Sequence, residues 1–273
     1  MDFNKENLKR ALAEQGFGNP LYFRNKTSST NNLAYRLAEV GAPEGTAVFA
    51  DCQTAGKGRR NRSWVSPAGV NLYVSLILRP TLAPALCAVL PLLAGVAVAD
   101  LATVCGVGQV HLKWPNDVYL GPKKIAGILT EMKSLGKEVQ FIILGIGINV
   151  NMAREQFPAP LADTATSLRE EKGAALDRVE VVATLFKNME IYYELLLREG
   201  FGPIRQLWLR YSRMVDQYCE VRCGGELSRG RMAGIDEGGA LLLLTEDGGL
   251  HRVLAGDATI IKQESGVRSQ NNQ

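Results

Sequence analysis

Residues 139–151 alternate with a period of two: Gln140, Ile142, Leu144, Ile146, Ile148 and Val150 fall on one side, and Val139, Phe141, Ile143, Gly145, Gly147, Asn149 and Asn151 on the other. Successive side chains of a strand point to opposite faces of its sheet. The segment is therefore a strand with one face that is core throughout. Its second face starts as core and then loses its side chains. Glycine inside a strand marks a bulge or a close approach by another group. A ligand and a packed helix both fit, and the two asparagines that follow favour the ligand.

A second constraint sits upstream. Residues 46–50 and 71–78 read as short strands, and between them runs Gln53-Thr54-Ala55-Gly56-Lys57-Gly58-Arg59-Arg60-Asn61-Arg62-Ser63-Trp64. Glycine permits backbone conformations closed to other residues and lets main-chain N–H groups turn toward one point. Interleaved Lys and Arg add fixed charge and forked donors suited to phosphate or carboxylate oxygens. The loop is expected to wrap an anion. A solvated basic turn and a nucleic-acid patch are the competing readings. A Walker A loop is not one, because Gly-x-x-x-x-Gly-Lys-Ser/Thr is unmatched.

Composition keeps that charge local. A net charge of +3 over 273 residues is too small to argue for a polyanion partner. The length predicts one large domain, or a large one with a small appendage, at ~150 residues per domain. Cys52, Cys87, Cys105, Cys219 and Cys223 show neither zinc spacing nor a disulfide framework, which fits a reducing cytoplasm. The amino terminus lacks the apolar region of a signal peptide. Residues 80–99 carry no charge over a length that would span a bilayer, but Pro84, Pro91, Gly95 and the abundant alanine make this a buried helix.

In chain order, residues 6–15 predict a short amphipathic helix and residues 21–23 a strand. The Ser/Thr cluster at 27–32 is the N-terminus of a helix over 33–38, one hydroxyl capping it and others free to face a ligand. A helix follows over about 85–104. Residues 110–114 are a strand running into a Pro115-Asn116-Asp117 turn, and strand 118–120 pairs as a hairpin with 124–131. Helices over 178–198 and 204–211 carry core stripes. Beyond residue 218 the texture changes to short strands separated by glycine-rich turns, which describes a small SH3-type β-barrel. From Gly266 onward the chain reads as a polar, disordered tail.

Four blocks in order, Gly56-Lys57-Gly58-Arg59-Arg60-Asn61-Arg62-Ser63-Trp64, Lys113-Trp114-Pro115-Asn116-Asp117, Lys124-Ile125-Ala126-Gly127-Ile128 and Gly145-Ile146-Gly147-Ile148-Asn149-Val150, resemble the signature blocks of the biotin–protein ligases. Ser29-Thr30-Asn31 matches a further block. The resemblance implies an α+β fold: a mixed, largely antiparallel sheet flanked by helices, class II synthetase-like, with the small SH3-like barrel after it. It divides the chain into a catalytic unit at 1–218, a barrel at 219–265 and a tail at 266–273. It implies ATP and Mg²⁺, biotin as substrate, and transfer through biotinyl-5′-AMP to a lysine of a biotin carboxyl carrier protein. By position, Ser29, Thr30, Asn31, Gln53, Gly56, Lys57, Gly58, Arg59 and Arg60 would hold biotin and its adenylate, with Lys113, Asn116, Gly127, Gly145, Gly147 and Asn149. Trp64 would help fold the loop over the adenylate. Lys124 and Arg59 would be catalytic, and Asp117 would lie beside Mg²⁺.

The family loop is usually Gly-Arg-Gly-Arg-Arg-Gly; here Lys57 and Asn61 stand at two of those places. Lysine keeps the charge without the planar fork, and asparagine tolerates left-handed backbone better than most residues. About twenty residues precede the first catalytic-type strand, so the expectation is no amino-terminal repressor domain and no operator binding. The sequence does not give the oligomeric state, though an exposed sheet edge in this fold class often pairs into a homodimer, and no membrane partner is expected. A lipoate- or octanoyl-transferring relative is the nearest rival, opposed by the basic loop followed by Trp64. A nucleic-acid binder would need a broad basic, aromatic face that 7% aromatic residues and a charge of +3 do not supply.

Overall fold

A computed structural model describes residues 1–261; the expected tail and residues 262–265 of the expected barrel lie outside them. Strand β1 (Leu21–Thr27) pairs in parallel with β2 (Ala47–Gln53), and every later pairing in the main sheet is antiparallel. That sheet has seven strands in the order β1-β2-β3-β7-β6-β5-β4, with β3 (Leu72–Leu78), β4 (Val110–Lys113), β5 (Asp117–Leu120), β6 (Lys123–Leu135) and β7 (Glu138–Ile148). The alternating segment is β7, fourth of the seven.

Its two faces build two cores, as the alternation predicts. Ile142, Leu144, Ile146 and Ile148 enter the large cluster on one side. Phe141 and Ile143 enter a small one with Val48, Ile77, Ala34 and Ala38 on the other. The small side is covered by helix α2 (Thr30–Glu39). The large side is covered by α3 (Leu90–Val104), α5 (Arg178–Glu199) and α6 (Gly202–Tyr211), with α1 (Lys5–Ala11) beside α5. The five-residue α4 (Leu168–Lys172) lies between β7 and α5 in the chain.

Helix α3 is apolar around its whole circumference and almost entirely buried, as a helix wedged between a sheet and two others must be. With the turn before it, Pro84–Val104 is long and apolar enough to cross a membrane, yet its side chains belong to the central core. The expected single helix over 85–104 is in fact a 3₁₀ segment, Pro84–Val89, followed by α3. Pro91 sits in the first turn of α3, where a missing N–H costs nothing, so the helix restarts there. Helix α1 stops at Ala11, short of the expected residue 15.

Strands β8 (Tyr218–Cys223), β9 (Glu226–Ile235), β10 (Leu241–Leu244), β11 (Leu250–Val253) and β12 (Asp257–Ile260) form a second, antiparallel sheet in the order β11-β10-β9-β8-β12, compatible with an SH3-like unit. It is not a free appendage. Cys219, Val221, Met232, Leu241 and Ala258 join the same buried cluster as the main sheet, and Trp114 Nε1 donates to Gly239 O at 2.9 Å.

Candidate active site

A cavity of about 420 Å³ opens where the N-terminus of α2, the loop after β2, the β5–β6 hairpin and the start of β12 meet over β7. Ser29, Thr30, Asn31, Gln53, Lys57, Gly58, Arg59, Trp64, Lys113, Asn116, Asp117, Lys124, Gly127, Gly145, Gly147 and Asn149 all line it. Gly56 and Arg60 do not. Arg62, Tyr73 and Asp257, Ala258 and Thr259 line it as well, and sequence reasoning did not include them.

The floor is the glycine-bearing face of β7, and the structure corrects what covers it. A Cβ on Gly145 would overlap Asn31 Oδ1, and one on Gly147 would lie 2.6 Å from Trp64 Nε1 and 2.7 Å from its Cε2. The bare backbone seats the protein's own Asn31 and Trp64. A Cβ on Gly127, across in β6, would meet Trp64 Cζ3 at 3.1 Å. Trp64 is thus packed down onto the floor and forms one wall of the cavity. Among the described residues its buried indole N–H finds no acceptor.

The hydroxyl and amide cluster is a connected network. Thr30 N donates to Gln53 Oε1 at 2.8 Å, and Gln53 Nε2 donates to Ser66 Oγ at 3.0 Å. Ser75 Oγ lies 2.8 Å from Thr30 Oγ1 and 2.6 Å from Asn31 Oδ1, while Asn31 Nδ2 donates to Glu131 Oε2 at 2.7 Å. Gln53 is therefore oriented at both ends by the protein. Ser29 sits at the N-cap of α2 without a side-chain cap bond, so the expected hydroxyl cap is not made there, and the residue is buried in the cavity wall. Asn149 donates from Nδ2 to Thr166 O at 3.0 Å and accepts from Asn71 Nδ2 at 3.4 Å, so its side chain braces the wall.

The basic loop is a tight hairpin. Lys57 and Ser63 bridge, Gly58 N donates to Arg62 O at 2.6 Å, and Trp64 N donates to Gly56 O at 2.9 Å. Two amides expected to face an anion are consumed this way, so the grip falls to the guanidinium groups. The glycines also serve a different purpose from the one expected. A Cβ on Gly56 would strike Trp64 O and Ser66 Oγ, so close approach demands glycine there. The left-handed residues are Arg60, with φ 53, and Asn61, with φ 59. Asn61 does stand in for the family glycine, as its tolerance of that region predicts.

Cations converge on the cavity from two sides. Arg59 Nη1 donates to Asn116 Oδ1 at 3.0 Å, and Asn116 is itself held by a bond from Nδ2 to Ile128 O at 2.8 Å. Burial pulls the Arg59 guanidinium below its ordinary pKa, while Asp257 and Asp117 act to support its charge. Opposite, Lys124 Nζ donates to Asp117 Oδ1 at 2.6 Å and stands 5.4 Å from the centre of the Trp64 ring. Lys113 Nζ lies 5.6 Å from the Tyr119 ring centre, and burial raises the Tyr119 phenol to about 12. Among the described residues no three His, Cys, Asp or Glu side chains cluster to hold a metal. Asp117 and Asp257 are the carboxylates that line the cavity; Lys124 engages the first and arginines the second.

Comparisons with known proteins agree with this geometry. Residues 22–149 match the profile of the biotin/lipoate A/B protein ligase family. The bifunctional ligase/repressor BirA of Bacillus spizizenii is 39% identical over 245 residues, which cover 90% of this chain and 75% of that protein. The biotin–[acetyl-CoA-carboxylase] ligase of Paracoccus denitrificans is 38% identical over 221 residues, covering 80% of this chain and 91% of that one. Among solved structures, the biotin protein ligase of Aquifex aeolicus in complex with biotin and ATP superposes with a TM-score of 0.75 at 31% identity, over 88% of this chain and 98% of that one. A mixed sheet floored by Gly145 and Gly147, a paired Lys124 and an arginine hairpin thus occur together in a chain that belongs to the biotin/lipoate A/B protein ligase family, among its biotin–protein ligases.

Proposed function

We propose that this chain activates biotin with ATP and transfers it to a lysine of a biotin carboxyl carrier protein of the acetyl-CoA carboxylase type. One observation carries the reading. Lys124 and Arg59 line a single cavity, and Gly127, Gly145 and Gly147 let Trp64 and Asn31 pack down onto its floor, so two anionic substrates can be brought together between the two cations above that surface. In the first step a biotin carboxylate oxygen bonds to the α-phosphorus of ATP, the bond from that phosphorus to the bridging oxygen breaks, and pyrophosphate leaves. Anion must approach anion, and preorganised positive charge lowers that barrier without a protein nucleophile. Lys124 is placed to neutralise the carboxylate and α-phosphate, with Asp117 holding its ammonium in position. Arg59, fixed by Asn116, faces the same charge from the loop side. In the second step the acceptor amine attacks the acyl carbon, AMP leaves, and the amine proton goes to water.

Magnesium takes few protein carboxylates and relies on substrate phosphates, which suits a site whose lining carboxylates are Asp117 and the arginine-bound Asp257; Asp117 would lie beside the ion, which would neutralise the departing pyrophosphate. We further propose a catalytic unit over residues 1–218 and an SH3-like unit from residue 219, a cytoplasmic location in keeping with five free cysteines, and homodimer formation through an edge of the main sheet, where β1 and β4 lie. The test is incubation with ATP, Mg²⁺, biotin and an acceptor domain, read by avidin blot. A signal that requires all four is expected. Modification with lipoate or octanoate in place of biotin would favour the rival within the same family.

A further inference from the structure

The arginine hairpin is tied to the C-terminal sheet through one carboxylate. Asp257, the first residue of β12, accepts from Arg62 Nη2 at 2.7 Å, from Arg59 Nη1 at 3.4 Å and from Arg60 Nη1 at 3.5 Å. Two backbone carbonyls beside it take the remaining donors. Gly256 O accepts from both Arg59 Nη1 and Nη2 at 3.2 Å, and Arg222 O accepts from Arg60 Nη2 at 2.5 Å. Asp257 and Arg222 are register partners across β12 and β8, so all these acceptors form one patch. The two strands approach closely here, since a Cβ on Gly256 would meet Val221 Cγ1 at 2.5 Å and Arg222 O at 3.1 Å.

On the loop side, Arg60 and Asn61 both hold left-handed backbone, which non-glycine residues keep only when their surroundings fix it. Among the described residues, the side-chain hydrogen bonds that leave residues 59–62 run to this patch and to Asn116. Releasing the patch therefore removes most of the side-chain bonds that tie residues 59–62 to the rest of the chain, leaving the hairpin its own main-chain bonds. Three guanidiniums share one carboxylate, so the closed arrangement retains an excess of positive charge, and Arg59 and Arg62 present it to the cavity.

We propose that Asp257 is a positioning residue: its carboxylate latches the arginine hairpin closed from the C-terminal sheet, and the closed hairpin retains the acyl-adenylate between the two half-reactions. The retention part rests on the function proposed above. The latch itself does not.

The experiment uses the full chain without ligand and limiting trypsin, which cuts after Lys and Arg. Asp257→Asn keeps the side-chain shape and removes the charge. Because cleavage follows the population of the open form, and a charged hydrogen-bond network is being broken, cutting within residues 57–62 should rise about tenfold. Asp257→Glu should return it close to the wild-type rate. Unchanged cutting in Asp257→Asn overturns the latch, as does a uniform rise at every Lys and Arg, which would mark general loosening. A second measurement follows preformed biotinyl-5′-AMP leaving the enzyme, where Asp257→Asn should release it about tenfold faster. Faster cutting without faster release overturns the retention role alone. A wild-type chain that forms no biotinyl-5′-AMP would overturn the proposed function, and the trypsin measurement would still decide the latch.

Discussion

Lys124 Nζ and Asp117 Oδ1 lie 2.6 Å apart across the β5–β6 hairpin, and the same ammonium faces the Trp64 ring. The charge that would meet a carboxylate and a phosphate is thus compensated and aimed before either arrives. Both side chains are about a quarter exposed, 28% and 21%, so incoming anions can displace the pairing. Removing a preorganised donor of this kind costs about 3–4 kcal/mol in barrier. Lys124→Ala should therefore abolish measurable biotinylation while leaving circular dichroism and thermal unfolding close to wild type. Near-normal turnover on the avidin blot would remove Lys124 from the mechanism.

Arg59 has a different consequence. Its guanidinium joins the hairpin both to Asn116 and to Gly256, so truncation loosens the loop as well as removing a charge. Arg59→Gly should release the reactive adenylate and biotinylate bystander lysines indiscriminately. A mixture of carrier domain and unrelated proteins, blotted with avidin, reads this directly. Retained selectivity would contradict it.

The glycine floor makes a steric prediction. In Gly147→Ala the added methyl would stand 2.6 Å from the Trp64 indole nitrogen, and the ring must tilt up into the cavity. Overpacking of this order costs about 1–3 kcal/mol. Calorimetric titration should show a loss of biotin affinity, and denaturant unfolding a smaller loss of stability. Unchanged affinity would mean that Trp64 is free to move aside at no cost.

His111, stacked on the cavity-lining Tyr119, gives the chain a dependence on acidity. Burial holds its imidazole below the ordinary value of 6.5, with Arg213 and Lys113 acting in the same direction. The unfolded chain takes up that proton first as the pH falls, so stability is fully present above about pH 6.5 and is lost progressively below it. His111→Gln should flatten the fall in melting temperature between about pH 7 and 5. An unaltered slope would place the sensitivity elsewhere.

Much of this is legible in sequence because it rests on local rules. The alternation over 139–151 places β7 and both its faces, and the tolerance of asparagine for left-handed backbone places Asn61 at the tip of the hairpin. What escapes depends on groups distant in the chain. Nothing near Gly145 announces that Asn31 would occupy its surface, and nothing near Gly56 announces the carbonyl of Trp64. Arg60 reads as a cavity residue from its neighbours, yet its side chain runs to Arg222 O. Ser66, Ser75 and Glu131 orient Gln53 and Asn31, and none carries a motif of its own. Asp257 sits in a short strand whose composition says nothing of arginine.

The wall supplied by β12 also bears on biosynthesis. Asp257 follows Arg59 by 198 positions, and a ribosome adding about 5–20 residues per second needs roughly 10–40 s to cover that interval. Throughout it, the nascent polypeptide carries the three arginines without Asp257 to receive them. Competence to keep a labile intermediate therefore arrives late in translation, well after the seven-stranded scaffold has been made.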